Sequence, residues 1–294
     1  MTDTIEHISD TAFWVAAFRA KESERPDALF RDPFAAQLVE GRGRAIAERM
    51  GNPRMIAWTV AIRTRLIDDY VQAAIAAGCD TVLNLGCGLD TRPYRMELPP
   101  ALDWIEVDLS ESVEFKQRRL QHEPLRCRLR RVTLDLTDRA ARGALFDEIN
   151  AQARKVLVIT EGVVPYLKSQ DVAELAADLH ARDHFEWWVL EYFSAQWSRM
   201  NRFMKQHRQV RREFAPGDWY RFFAAQGWTV KALRYLHEEG KRLNRPAPIR
   251  LWIKAVMGLV SRERRRAMET MFGYALMEKS ALTAAGSTAD PSPA

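Results

Sequence analysis

The chain has little cysteine, no long apolar run, few histidines and only two of the three glycines that a dinucleotide loop requires. Its three cysteines, Cys79, Cys87 and Cys127, show no CxxC spacing and no clustered histidine companions. That pattern excludes a disulfide framework and a zinc site, so no metal is expected and the thiols are read as ordinary reduced ones. No apolar stretch approaches the roughly 20 residues of a membrane-spanning helix. The start, Met1-Thr2-Asp3-Thr4-Ile5-Glu6, lacks the basic and apolar regions of a signal peptide. A cytoplasmic protein without a membrane partner is the expectation.

What is present fits one large globular domain. The 294 residues are 47% apolar and 28% charged, with a net charge of +5, so a sizeable core can form. The positive balance raises nucleic acid as a partner. In Arg126-Cys127-Arg128-Leu129-Arg130-Arg131, however, basic residues alternate with apolar ones, as on a strand with one solvated face. Arg262-Glu263-Arg264-Arg265-Arg266 carries an acid and reads as an exposed helix surface. The Asp/Asn-Pro-Pro-Tyr/Phe signature of enzymes that methylate base amino groups is absent, as is any RNA-binding module.

Up to residue 79 the pattern is helical. Helices are expected over 11–25, 33–50 and 58–77, the last ending at Gly78 as C-cap. The texture then changes to short apolar strands at 81–85, 102–108, 129–134, 155–160 and 185–193, with amphipathic helices at 138–153 and 169–182 between them. Ser110 is expected to cap a helix with Glu114 close to the capping-box position. Two further strands are expected at 228–235 and 272–279, separated by a basic helical stretch. Alternating strands and helices predict an α/β fold with a parallel, Rossmann-like sheet covered on both faces. The division implied is a helical cap at 1–79 and a core at 80–280. Helical insertions fall near 194–226 and 236–271, and a tail rich in Ala, Ser, Thr and Pro occupies 281–294.

Ligands of such sheets bind beyond the carboxyl ends of the strands. Gly86, Gly88, Asp90, Asp108, Asp135 and Glu161 all fall at predicted strand ends, and that coincidence is the main sign of a site. The loop Gly86-Cys87-Gly88-Leu89-Asp90-Thr91 lacks the third glycine of a dinucleotide fingerprint, and Asp90 would repel a pyrophosphate. A phosphate-free ligand with a cationic centre suits it better. S-adenosylmethionine has those properties, and Asp108, about 20 residues past the loop, can accept hydrogen bonds from its ribose hydroxyls.

The segments Asn84-Leu85-Gly86-Cys87-Gly88-Leu89-Asp90-Thr91-Arg92, Val107-Asp108-Leu109, Asp135-Leu136 and Glu161-Gly162-Val163-Val164-Pro165-Tyr166-Leu167 occur in that order. With Thr11–Ala17, Arg25–Pro33 and Ala61-Ile62-Arg63-Thr64-Arg65, they resemble the leucine carboxyl methyltransferase family, especially its bacterial branch of polyketide-type O-methyltransferases. The resemblance covers roughly residues 10 to 280. It implies a class I methyltransferase sheet of seven strands with the last antiparallel, an N-terminal helical extension, and S-adenosylmethionine as cofactor. It implies Arg63 and Lys21 at the cofactor's carboxylate, Gly86 and Gly88 against its methionine part, and Asp108 with Leu109 at its ribose. Asp135 and Leu136 would meet the adenine, Glu161 the ammonium group, and Tyr166 would stand between cofactor and substrate. Cys87 replaces the alanine common in that loop and stays small. Residues 236–271 match nothing in the family pattern.

The implied activity is O-methylation of a carboxylate or hydroxyl on a small molecule or a peptide terminus. A nucleic-acid methyltransferase, a non-catalytic cofactor-binding protein and an NAD-dependent dehydrogenase are the alternatives. No histidine stands beside the motifs: His122, His180, His184, His207 and His237 fall in helix or turn contexts. That favours an acceptor needing no general base. Trp187, Trp188, Tyr192 and Trp197 either fill the core or wall a substrate pocket. Arg199, Arg202 and Lys205 recur on one helical face, where they would attract an acidic substrate.

Overall fold

A computed structural model of the chain describes residues 8–39, 53–197, 213–249 and 260–280. Three helices come first: α1 (Ile8–Ser23), α2 (Pro33–Leu38) and α3 (Pro53–Ala76). Pro33 and Pro53 each open a helix, a position where the missing N–H costs nothing and φ is already helical. For α3 this places the start five residues earlier than the apolar pattern alone suggested. At the end of α3, Gly78 takes φ +93° and the Cys79 amide donates back to the Ala74 carbonyl at 3.0 Å, the left-handed stop expected of it. The helix expected over 33–50 is shorter than predicted. Val39 is extended (φ −83°, ψ 100°) and closes α2 at Leu38, and 40–52 lie outside the described residues.

The strands are β1 (Thr81–Leu85), β2 (Asp103–Asp108), β3 (Arg128–Thr133), β4 (Val156–Thr160), β5 (Phe185–Phe193), β6 (Trp228–Tyr235) and β7 (Phe272–Lys279). Between them run α4 (Arg92–Arg95), α5 (Ser110–Leu120), α6 (Arg139–Gln152), α7 (Ser169–His180), α8 (Trp219–Ala224), α9 (Leu236–Arg242) and α10 (Arg262–Glu269). They form one seven-stranded sheet in the order β3-β2-β1-β4-β5-β7-β6. Neighbours from β3 to β5 are parallel, while β7 lies antiparallel to both β5 and β6. The expected seven-stranded sheet with its last strand antiparallel is thus the observed architecture. Ser110 is the first residue of α5 rather than its cap; Leu109 holds the cap position, and the Ser110 hydroxyl turns to Glu114 at 2.5 Å.

Alternate residues of each strand feed two cores, as the pleat dictates. On one face Leu83, Val107, Val158, Trp188 and Met277 pack against α6, α7 and α8. On the other, Val82, Trp104, Leu157, Val189 and Leu276 pack against Ile62, Leu66, Tyr70 and Val71 of α3. The last of the N-terminal helices therefore forms a layer of the core. Trp188 is fully buried with its indole N–H on the Thr160 hydroxyl at 2.9 Å, and Trp187 is buried on the opposite face, so both fill the core.

The basic run of β3 is spent on local ion pairs. Arg128 meets Asp103 at 2.7 Å, Arg131 meets Glu106 at 2.9 Å, and Arg130 pairs with Glu148. Among the described residues no helix is long and apolar enough to cross a membrane.

Candidate cofactor site

The carboxyl ends of β1, β2 and β4 open into a cavity of about 650 Å³. The loop after β1 forms its base. Gly86 and Gly88 take φ +63° and +47°, conformations that side-chain-bearing residues rarely adopt. A Cβ on Gly86 would lie 2.4 Å from Cγ2 of Val163, so the loop can approach the turn after β4 only without a side chain there. Asp108, at the tip of β2, ties the loop down: its Oδ2 accepts from the Gly88 N–H at 2.6 Å and its Oδ1 from the Leu109 N–H at 2.8 Å. Each carboxylate oxygen keeps a lone pair free for a ligand hydroxyl.

Beneath the loop lies a buried ionic network. Arg92, 2% exposed, donates through Nε to Asp68 at 2.7 Å and through Nη1 to Asp90 at 2.8 Å and to Glu161 at 3.0 Å. Arg95 binds Asp68 at 2.7 Å, Asn84 donates to Asp90 at 2.8 Å, and Arg19 holds Asp32 at 2.8 Å while reaching the Leu89 carbonyl. Burial pushes the Asp90 and Glu161 carboxyls up, but the surrounding guanidinium groups outweigh it. Arg92, Arg19 and Arg95 hold Asp90 well below the usual carboxylate range, and Arg92 and Arg63 hold Glu161 below its own.

Arg63 stands 2.9 Å from the second Glu161 oxygen, yet its Nε–H has no acceptor in line among the described residues. The pair is close but misaligned. A buried donor left in that state costs of order 1–3 kcal/mol. A carboxylate and an ammonium carried by one ligand would satisfy both partners.

Most residues singled out in the sequence meet here. Arg63, Gly86, Cys87, Gly88, Asp90, Asp108, Leu109, Glu161 and Tyr166 all line the cavity. Three do not, among the described residues. Lys21 is exposed on the outer face of α1. Positions 19 and 21 are two residues apart, about 200° around a helix, and Arg19 is the one that faces the cavity. Asp135 is exposed and turns back on Thr137, accepting from its amide at 2.8 Å and its hydroxyl at 2.7 Å. Leu136 packs against the core beside it.

Asp90 reaches the cavity, but the cation it faces is Arg92 of this chain. No histidine among the described residues lines the cavity. Arg199, Arg202 and Lys205 lie outside the described residues. Sequence reasoning missed Arg19, Arg92 and Asn84. Arg92 was inside a quoted motif, but its partner Asp68 is 24 positions away.

The chain can be placed by comparison. Residues 12–180 match the model of the leucine carboxyl methyltransferase family. The chain belongs to that family. Among its relatives, a provisionally named S-adenosyl-L-methionine-dependent methyltransferase of Mycobacteroides abscessus is 35% identical over 199 residues, covering 60% of this chain and 62% of that protein. One from Streptomyces avermitilis, provisionally named in the same way, is 33% identical over 62% of this chain and 69% of its own length. The match therefore spans under two thirds of the first relative.

Among solved structures, a provisionally named methyltransferase from Thermobifida fusca has a TM-score of 0.54 at 14% identity, over 84% of this chain and 93% of its own. A DUF574 family protein from Streptomyces avermitilis gives 0.53 at 14% identity, over 90% and 96%. At that identity the likeness is one of fold.

Proposed function

We propose that this protein is an S-adenosylmethionine-dependent O-methyltransferase acting on a carboxylate or hydroxyl of a small molecule or peptide terminus. The observation that carries the reading is the half-buried Arg63–Glu161 pair that lines one cavity with Asp108. These are the complements of an amino-acid end and a ribose.

The residues present fit this cofactor on two further counts. Asp108 and Glu111 line the cavity with no ion-pair partner among the described residues, whereas its cations Arg19 and Arg63 are paired with Asp32 and Glu161, a balance that favours a cationic ligand and disfavours a pyrophosphate. The Gly88 amide, which a phosphate would claim, is already given to Asp108, and the helix after the loop, α4, is only four residues long. An NAD site has the opposite requirements.

Bound there, S-adenosylmethionine supplies a methyl group activated by its sulfonium. The chain's contribution is placement. Arg63 and Glu161 would fix the amino-acid end, Asp108 the ribose, and the glycine backbone would let the chain between them lie close. Tyr166 and Leu167 would form the wall on the acceptor side. Alignment of this kind contributes several kcal/mol to a displacement. An acceptor carboxylate is ionised at neutral pH, consistent with a cavity that no described histidine lines.

The test is incubation with methyl-labelled cofactor and a panel of acids, phenols and peptides, with products identified by mass spectrometry. Label recovered in an ester or ether supports the reading. Binding of NAD but not of S-adenosylhomocysteine in calorimetry overturns it.

A further inference from the structure

One acid behind the cavity has no role in that account. Glu191 lies near the end of β5, opposite Tyr274 of β7, and is 2% exposed. Its Oε1 accepts from the Gly162 N–H, in the turn that carries Glu161, while its Oε2 has no hydrogen-bond partner among the described residues. Burial pushes its carboxyl up to about 7 despite the Gly162 amide and Arg63, with Glu161 adding to the rise. The groups acting on this corner are Arg63 from α3, Glu161 at the tip of β4, and Tyr274 from β7, whose hydroxyl also acts on Arg63. Tyr166 acts on Arg63 as well, and Arg92 and Asp90 act on Glu161.

We propose that Glu191 is a positioning residue that holds the Glu161–Gly162 turn in its neutral, protonated form and couples cofactor binding to one proton. The inference rests on the cofactor reading above. In the neutral form Glu191 anchors the turn through Gly162 and leaves Arg63 to the ligand's carboxylate. Once ionised, it sets a second carboxylate beside Glu161 within the field of Arg63. That internal anion competes with the ligand for the guanidinium. Binding also removes water from the cavity, which further disfavours the ionised acid. The ligand's carboxylate offsets Arg63, the larger influence on Glu191, while its ammonium offsets Glu161, the smaller. The bound state therefore holds the proton to higher pH than the free state, and binding at neutral pH takes up part of a proton from solvent. By linkage, affinity is full below the free-state titration and falls as pH rises through it.

The test is calorimetric titration of the full-length protein with S-adenosylhomocysteine between about pH 6 and 8.5, in buffers of different ionisation enthalpy. A binding-induced rise of one unit corresponds to a loss of affinity of about tenfold across that range, with proton uptake seen as a buffer-dependent heat. Glu191→Gln keeps a neutral side chain able to meet Gly162. It is expected to bind at pH 6 within about threefold of the parent, with affinity flat in pH and no proton uptake. Glu191→Ala is expected to bind more weakly at every pH. PH-independent binding by the parent with no proton exchange overturns the proposal, as does Glu191→Gln retaining the parent's pH dependence. Either result leaves the cofactor reading standing. Absence of binding at every pH sinks the cofactor reading, and this inference with it.

Discussion

At the scale of single residues, the site divides into groups that would touch a ligand and groups that hold those in place. Asp108 belongs to both sets, because the carboxylate offered to a ribose also pins Gly88 and Leu109. Hydrogen bonds to a charged group contribute about 1.5–3 kcal/mol each, so Asp108→Ala is expected to weaken S-adenosylhomocysteine binding roughly 10- to 100-fold. Isothermal titration measures this directly, and unchanged affinity would remove Asp108 from the site. Arg63 and Lys21 give a paired comparison on the same instrument. Arg63→Ala is expected to lose a similar factor, whereas Lys21→Ala, exposed and outside the cavity lining, is expected to stay within about twofold, as surface substitutions do. Equal losses from both would show that the carboxylate subsite lies nearer the outer face of α1.

The same scale shows where sequence reading reached its limit. Lys21 is implied by the family resemblance alone, and α1 has almost no apolar asymmetry from which a single sequence could show that Arg19 faces the cavity. Glu191 stands inside an aromatic run, Phe185–Phe193, whose large side chains draw the reading to core or pocket wall and away from the acid among them. The available signal was an acid set between Leu190 and Tyr192 near the carboxyl end of the strand, where the strand's other acid, Glu186, stands at its start. Asp135 was placed by its position after a strand, and nothing in the sequence shows that Thr137 would claim its carboxylate.

At the scale of elements, strand tips were legible and the ties between them were not. β1, β4, β5, β6 and β7 fall on the expected runs, because strands buried on both faces, as β1, β4 and β5 are, read as short continuous apolar stretches in a single sequence. The buried network joins α3, α4, the glycine loop and the tip of β4 through partners 24 and 69 positions apart, and no local pattern encodes such distances. That network makes a clear prediction. Arg92 compensates three acids at once, Asp68 and Asp90 buried and Glu161 half-buried, and removing one member of a buried ion pair costs about 3–5 kcal/mol. Arg92→Met should lower the unfolding free energy by that order in urea titrations. A loss below about 1 kcal/mol would mean that the acids are reached by water.

The glycine loop is tested in the same way. Gly86→Ala meets both a positive φ and the 2.4 Å approach to Val163, together costing about 1–3 kcal/mol. Val163→Ala should restore only the part that comes from the clash. Full restoration in the double mutant would show that backbone strain at Gly86 is negligible.

At the scale of the whole molecule, the unusual carboxyl groups give stability two opposing dependences on pH. Asp90 and Glu161 titrate below their unfolded values because the arginines around them outweigh burial. Their contribution is complete above the unfolded carboxylate range, about pH 4–4.5, and is lost as pH falls through the folded values. Glu191 acts in the other direction. Its folded carboxyl sits at about 7 against an ordinary value of 4.5. Between those limits the unfolded chain has released the proton and the folded chain has not, so stability falls as pH rises, by up to roughly 1.4 kcal/mol per unit, and levels off above 7. His237 opposes this within the same window: burial lowers its folded value, so its contribution grows as pH rises toward 6.5. The net slope of the parent therefore mixes the two, and a difference separates them. Unfolding free energies of the parent minus those of Glu191→Gln cancel His237, Asp90 and Glu161 wherever these act independently of Glu191. The difference should decline between about pH 4.5 and 7, by a total of order 3 kcal/mol, and be flat beyond. A difference constant across that window would mean that Glu191 is ionised in the folded protein at pH 5, and that Arg63 holds its charge more strongly than burial opposes it.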